Sequence, residues 1–206
     1  TCMPQHPTVI PMSDDAKPIV PADVAPTVLP DAFLSSEEAL SAGCFHLPSY
    51  DELPSVELYR DQVLSYIDHI LSPLSACSEG SWLTASMVNN YVKQHLVPAP
   101  NKKLYGRDHI AHLLIICIFK QFLSIEAIRK LIGIQRMTYP IGVAYNYVAV
   151  EINNAVSDAF DASGTRHEDT ASLVTRETVL VRSAASAFAA KAFLMSYLTF
   201  LGYRDA

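Results

Sequence analysis

Ser86, Asn89, Asn90 and Lys93 stand at i, i+3, i+4 and i+7 in a run that opens at Thr84. On a helix, that spacing puts a hydroxyl, two carboxamides and an ammonium on one face. Such a face suits the major groove of a duplex. Asn bonds an adenine edge through two contacts, Lys reaches guanine or phosphate, and short side chains near the helix start let the backbone approach. Lys102, Lys103, Tyr105 and Arg107 follow as candidate backbone contacts, which set position rather than sequence. The competing reading of the stripe is the wet side of an amphipathic helix. The basic segment beside it favours recognition.

Other chemistry is poorly provided for. His109 and His112 are three residues apart with Cys117 beyond, but no local carboxylate or second thiol completes a metal set. Cys44 and His46 are alternate residues in an extended stretch, so they point apart, and no orienting partner is placed for a thiol nucleophile. His167, Glu168 and Asp169 read as an exposed linker. No catalytic residue, metal or cofactor is expected.

The elements that must position the recognition face follow from periodicity and caps. A helix is expected from Ser55 to Pro73, with Tyr59, Val63, Ile67, Ile70 and Leu71 inward. Thr84 caps the next, over about 85–95, whose buried stripe is Val88, Tyr91, Val92 and Leu96. Pro98 and Pro100 end it, and residues 102–105 read as a short extended wing. A very apolar helix over about 107–122 should be the buried centre, followed by a short helix capped by Ser124. Beyond Pro140, Ile141, Tyr145, Val148, Ile152, Ala155 and Ala159 make a heptad-like seam. Residues 161–170 read as a loop. A final helix over about 176–201 is apolar nearly all round, with Lys191 arguing against a membrane span.

The composition agrees with a helical protein. Of 206 residues half are hydrophobic, 17% are charged and only seven are glycine, which leaves little for a many-stranded fold or a phosphate-cradling loop. Four cysteines form no CxxC pair, so neither a disulfide scaffold nor a zinc knuckle is indicated and a reducing cytoplasm is expected. Seven of the 13 prolines lie in the first thirty residues, which show no apolar run suited to a secretory signal and read as a flexible Pro-rich arm. The formal net charge of −6 is unevenly spread. Residues 81–132 hold seven basic and two acidic groups, and the remainder eight and nineteen. One compact basic module in an acidic chain suits a nucleic-acid reader with separate assembly regions.

The run from Leu83 to Pro100, then Lys103-Leu104-Tyr105 and the helices ending in Ser124-Ile125-Glu126-Ala127-Ile128-Arg129-Lys130-Leu131-Ile132, resembles the MerR-type winged helix-turn-helix. Two positions depart from that pattern: His95 replaces the turn glycine, and Leu123 precedes Ser124. The short helix usually found just before the recognition helix is missing, so the helix after Ser55 must take its place. Leu47-Pro48-Ser49-Tyr50-Asp51-Glu52-Leu53-Pro54 plus the module is more closely similar to a bacterial family known only as domain of unknown function 1836, over about residues 45–133. The resemblance implies DNA binding and transcriptional control, with groove contacts at Ser86, Asn89, Asn90 and Lys93 and wing contacts at Lys102, Lys103 and Tyr105. It also implies dimerisation through a helix beyond the module.

The expectation is therefore an all-α protein with a small MerR-like winged helix-turn-helix. Residues 1–44 form an arm and short helix, 45–135 the DNA module, and 136–206 a helical pair for dimerisation or effector binding. Double-stranded DNA and a second copy are the expected partners, a membrane is not, and a pocket between the C-terminal helices would suit a small-molecule effector. The alternative is a helical protein-interaction module that keeps the fold without binding DNA.

Overall fold

The computed structural model describes residue 20 and residues 32–202. Apart from Val20, the expected Pro-rich arm lies outside them. Among the described residues there are seven α-helices: α1 (Glu37–Gly43), α2 (Arg60–Leu71), α3 (Ala85–Lys93), α4 (Arg107–Phe119), α5 (Ile125–Thr138), α6 (Ile141–Phe160) and α7 (Arg176–Phe200). Two short strands, β1 (Leu58–Tyr59) and β2 (Leu104–Tyr105), pair antiparallel, with Leu58 opposite Tyr105 and Tyr59 opposite Leu104. The arrangement is mostly helical with one small sheet, consistent with a winged-helix-like fold.

Helix α4 is central because it has no polar face to leave in water. Ile110, Leu113, Leu114, Ile116 and Ile118 are all fully buried. Around it lies one hydrophobic cluster, which takes in Ala42 of α1, Val63, Ile67 and Leu71 of α2, Val88 and Tyr91 of α3, and Phe188 and Ala192 of α7. The short helix near the N-terminus, the middle of the chain and the C-terminal helices therefore share a core.

Helix α2 begins five residues later than its apolar pattern suggested. The reason is the sheet: Leu58 and Tyr59 are spent pairing with β2, and Gln62 Oε1 accepts the Tyr59 N–H at 2.9 Å to start the helix. Tyr59, expected inside, is 64% exposed. The helix after Ser124 is longer than expected, at 14 residues, with Ser124 Oγ accepting the Ala127 N–H at 3.2 Å.

Helices α6 and α7 run side by side in the same direction. Arg182 near the start of α7 meets Glu151 in the middle of α6 at 3.4 Å, and Phe193 near the end meets Phe160 at the end, with ring centroids 5.6 Å apart. The connection over 161–175 must therefore travel back along α6. It is pinned there by bonds from the Thr170 N–H and hydroxyl to Glu151 and from the Tyr147 hydroxyl to Asp169. Tyr145, Val148 and Ile152 of the heptad-like seam are buried within the chain's own core. Ala184, Ala185, Ala189 and Ala192 supply the small side chains of the buried side of α7. By length and composition α7 is the one described helix apolar enough to cross a membrane; in this fold Lys191 donates to the Gln121 carbonyl at 3.0 Å.

Candidate nucleic-acid interface

Helix α3 is seated by its two ends and its buried side. At the start, Thr84 Oγ1 accepts the Met87 N–H at 3.2 Å. The residue two positions before that cap is tied to α4: the Lys120 ammonium donates to the Trp82 carbonyl at 2.7 Å, and the Cys117 thiol donates to the same oxygen at 3.4 Å. Burial lowers the Lys120 pKa, as expected for an ammonium partly removed from water. Val88 and Tyr91 enter the core. Ser86, Asn89, Asn90 and Lys93 are left exposed on the other side.

The end of α3 is a Schellman motif built without glycine. The Leu96 N–H bonds the Tyr91 carbonyl at 2.9 Å, the His95 N–H bonds the Val92 carbonyl at 3.0 Å, and His95 takes φ 59°. That left-handed conformation is what the turn glycine of the MerR pattern would supply at this position. Leu96 then turns fully into the core. Helix α5 clamps the same corner. Arg136 donates to the carbonyls of His95 and Leu96, both at 3.1 Å, and Arg129 donates to Gln94 Oε1 at 2.8 Å. Gln94 in turn donates to Asn90 Oδ1 at 3.0 Å, so one carboxamide of the exposed face is held in place from α5. Sequence reasoning missed these two arginines. Their spacing of seven, which puts both on one side of a helix, was the available signal.

The wing is smaller than an extended piece. Asn101 and Leu104 form a β-bridge closed by a 2.8 Å bond from the Leu104 N–H to the Asn101 carbonyl, with Lys102 at φ 47° and Lys103 at φ 69° between them. Two central residues of positive φ make the kind of tight turn in which Asn-Gly is favoured. Here both are lysines, and both are exposed.

The remaining two candidates are placed differently from expectation. Tyr105 is only 5% exposed, packed edge-on to His109 with centroids 5.5 Å apart, so it is a core residue of β2 rather than a phosphate contact. Tyr105 is carried inward where β2 pairs with β1, opposite Leu58. Arg107 is half-buried over the Tyr50 ring at 5.3 Å and faces Asp51 Oδ1 at 3.4 Å. Its charge is engaged within the chain. Tyr50 also donates to Asp108; burial and that bond push its phenol up to about 12.

The two α4 histidines have structural work. His109 Nδ1 accepts the Gly106 N–H at 3.0 Å, and His112 Nδ1 donates to the Asp108 carbonyl at 2.7 Å. Burial lowers the His112 pKa. Cys44 is exposed, and His46 Nδ1 lies 3.2 Å from the Asn153 amide nitrogen. His167 bonds Asp158 at 2.5 Å, and Asp169 bonds Tyr147, so this stretch anchors the returning loop.

The class defined by these features is a helical domain with a capped, polar-faced helix beside a minimal two-stranded sheet. Residues 48–148 match the family described as Domain of unknown function (DUF1836). That stretch runs from the turn before Tyr50 through α2 to α5 and into the first turns of α6. No curated protein and no solved structure matches the chain.

Proposed function

We propose that this chain is a transcriptional regulator that binds duplex DNA through α3 and the Lys102–Lys103 turn, in the manner of a MerR-like winged helix-turn-helix. One observation carries the reading: the two lysines sit where their backbone conformation is costly. Non-glycine residues with φ above zero cost about 1–3 kcal/mol each and tend to persist where function needs them. A turn selected for stability alone would place Asn-Gly there. A pair of exposed ammonium groups at the tip of a turn is suited to straddling a phosphate backbone. The exposed Ser86, Asn89 and Lys93 of α3, with Asn90 held by Gln94, are the matching groove-facing set. Buried Tyr105 and engaged Arg107 drop out of it. A second copy, joined through exposed parts of the C-terminal helices, would double the site.

Fluorescence anisotropy on duplexes selected from a random library, at two salt concentrations, tests this directly. Tight binding that weakens steeply with salt, and that Asn89→Ala/Lys93→Ala abolishes, is the expected result. Absence of binding above background at low salt would overturn it. A second reading, a helical protein-interaction module, draws on the exposed apolar residues Met137, Val143, Leu173 and Val174. Such an association would be insensitive to salt.

A further inference from the structure

Between α5, the first half of α6, the start of α7 and residues 171–175 lies a cavity of about 520 Å³. That volume falls within the range of small-molecule sites. Its walls include Ile115 and Phe119 of α4, Leu131 of α5, Val148 of α6 and Val181 of α7. No Lys, Arg or His lines it. The single carboxylate on the wall, Glu177, is already paired with Arg176 at 2.5 Å, and that bond lowers its pKa. An anion would find no counter-charge there, and a cation would have to displace an arginine.

The geometry points to a binding site for an uncharged, predominantly apolar small molecule, sensed through α5. That helix has two working sides. Leu131, Gln135 and Thr138 line the cavity, whereas Arg129 and Arg136 reach the end of α3 through Gln94, His95 and Leu96. A ligand that shifts α5 must either carry the α3 corner with it or strain those bonds. Leu173, which lines the cavity, is 70% exposed and lies beyond the point where Asp169 and Thr170 anchor the returning loop. Binding in the cavity is independent of what α3 does. The regulatory consequence rests on the DNA-binding reading.

The full chain is titrated with N-phenyl-1-naphthylamine, an uncharged apolar fluorophore, beside two variants that fill the space, Ala144→Phe and Val181→Phe. Saturable binding at one site per chain is expected, with affinity reduced at least tenfold in whichever variant keeps the wild-type circular dichroism and melting profile. Absence of saturable binding, or equal affinity in a folded filling variant, overturns the site. So does sedimentation showing that a second copy seals the rim and excludes the probe. Amide hydrogen exchange at residues 94–97 reads the α5 connection without DNA. A change there on saturation supports it, and unchanged exchange at saturation overturns it. If DNA binding fails while these results hold, the cavity stands and only its regulatory output is lost.

Discussion

Arg136 on α5 donates to the main-chain oxygen of His95 at 3.1 Å, at the one residue where α3 leaves the right-handed helical conformation. A helix end leaves carbonyl oxygens without partners, and a cation there also meets the negative end of the helix dipole. Arg136 therefore sits at the negative end of α3, on the two carbonyls that follow the Schellman bonds. It reaches His95 from a helix 41 residues further along the chain.

Replacing Arg136 by Ala removes two hydrogen bonds to the α3 corner. Because the side chain is exposed, water takes over part of their value, and a loss of about 1 kcal/mol is expected. Urea denaturation reads it as a lower midpoint with an unchanged slope. An unchanged midpoint would show that the corner does not depend on α5.

His95→Gly should stabilise the protein. Glycine adopts φ near 60° without a Cβ clash, and His95 is exposed, so little packing is lost. The gain expected is about 0.5–1 kcal/mol, or roughly 1–4 °C in melting temperature for a chain of this size. A fall in melting temperature would mean that the imidazole holds the corner by contacts of its own.

Lys102→Asn/Lys103→Gly separates stability from binding. The turn relaxes into its preferred sequence, and the melting temperature should rise. DNA affinity should fall, and the slope of log affinity against log salt should shrink by about 2, one for each phosphate no longer neutralised. A double variant that is more stable and binds DNA with the wild-type salt slope would remove the turn from the interface.

Alkaline pH should unfold the chain through its buried thiols and phenols. Burial pushes Cys77, Cys117 and Tyr91 each up to about 12. Their unfolded values lie near 9 for the thiols and 10 for the phenol. The unfolded chain then releases protons first, so stability is intact below pH about 9 and declines as pH rises toward 12. A stability profile flat between pH 8 and 11 would contradict this. In the same frame, a thiol reagent at neutral pH should modify exposed Cys44 while Cys77 and Cys117 remain protected until unfolding, as mass mapping would show.

Features recorded locally were legible along the chain. Thr84 and Ser124 announced two helix starts, the i, i+3, i+4, i+7 stripe announced the exposed side of α3, and the unbroken apolar run announced the buried centre at α4. These depend on neighbours within one or two turns, so spacing alone reveals them. The fate of Tyr105 and Arg107 was decided elsewhere. Tyr105 is buried because Leu58 pairs with it, and Arg107 is engaged because Asp51 and Tyr50 come from more than fifty residues away. Two-residue strands carry too little periodicity to be read in advance. The common direction of α6 and α7 was equally hidden, since a heptad seam has no record of which way its partner runs. The returning loop and its bonds to Glu151 and Tyr147 decide that direction. The cavity against α5 exists only once those helices are packed, because its walls come from three stretches, 115–119, 131–148 and 171–181, separated along the chain.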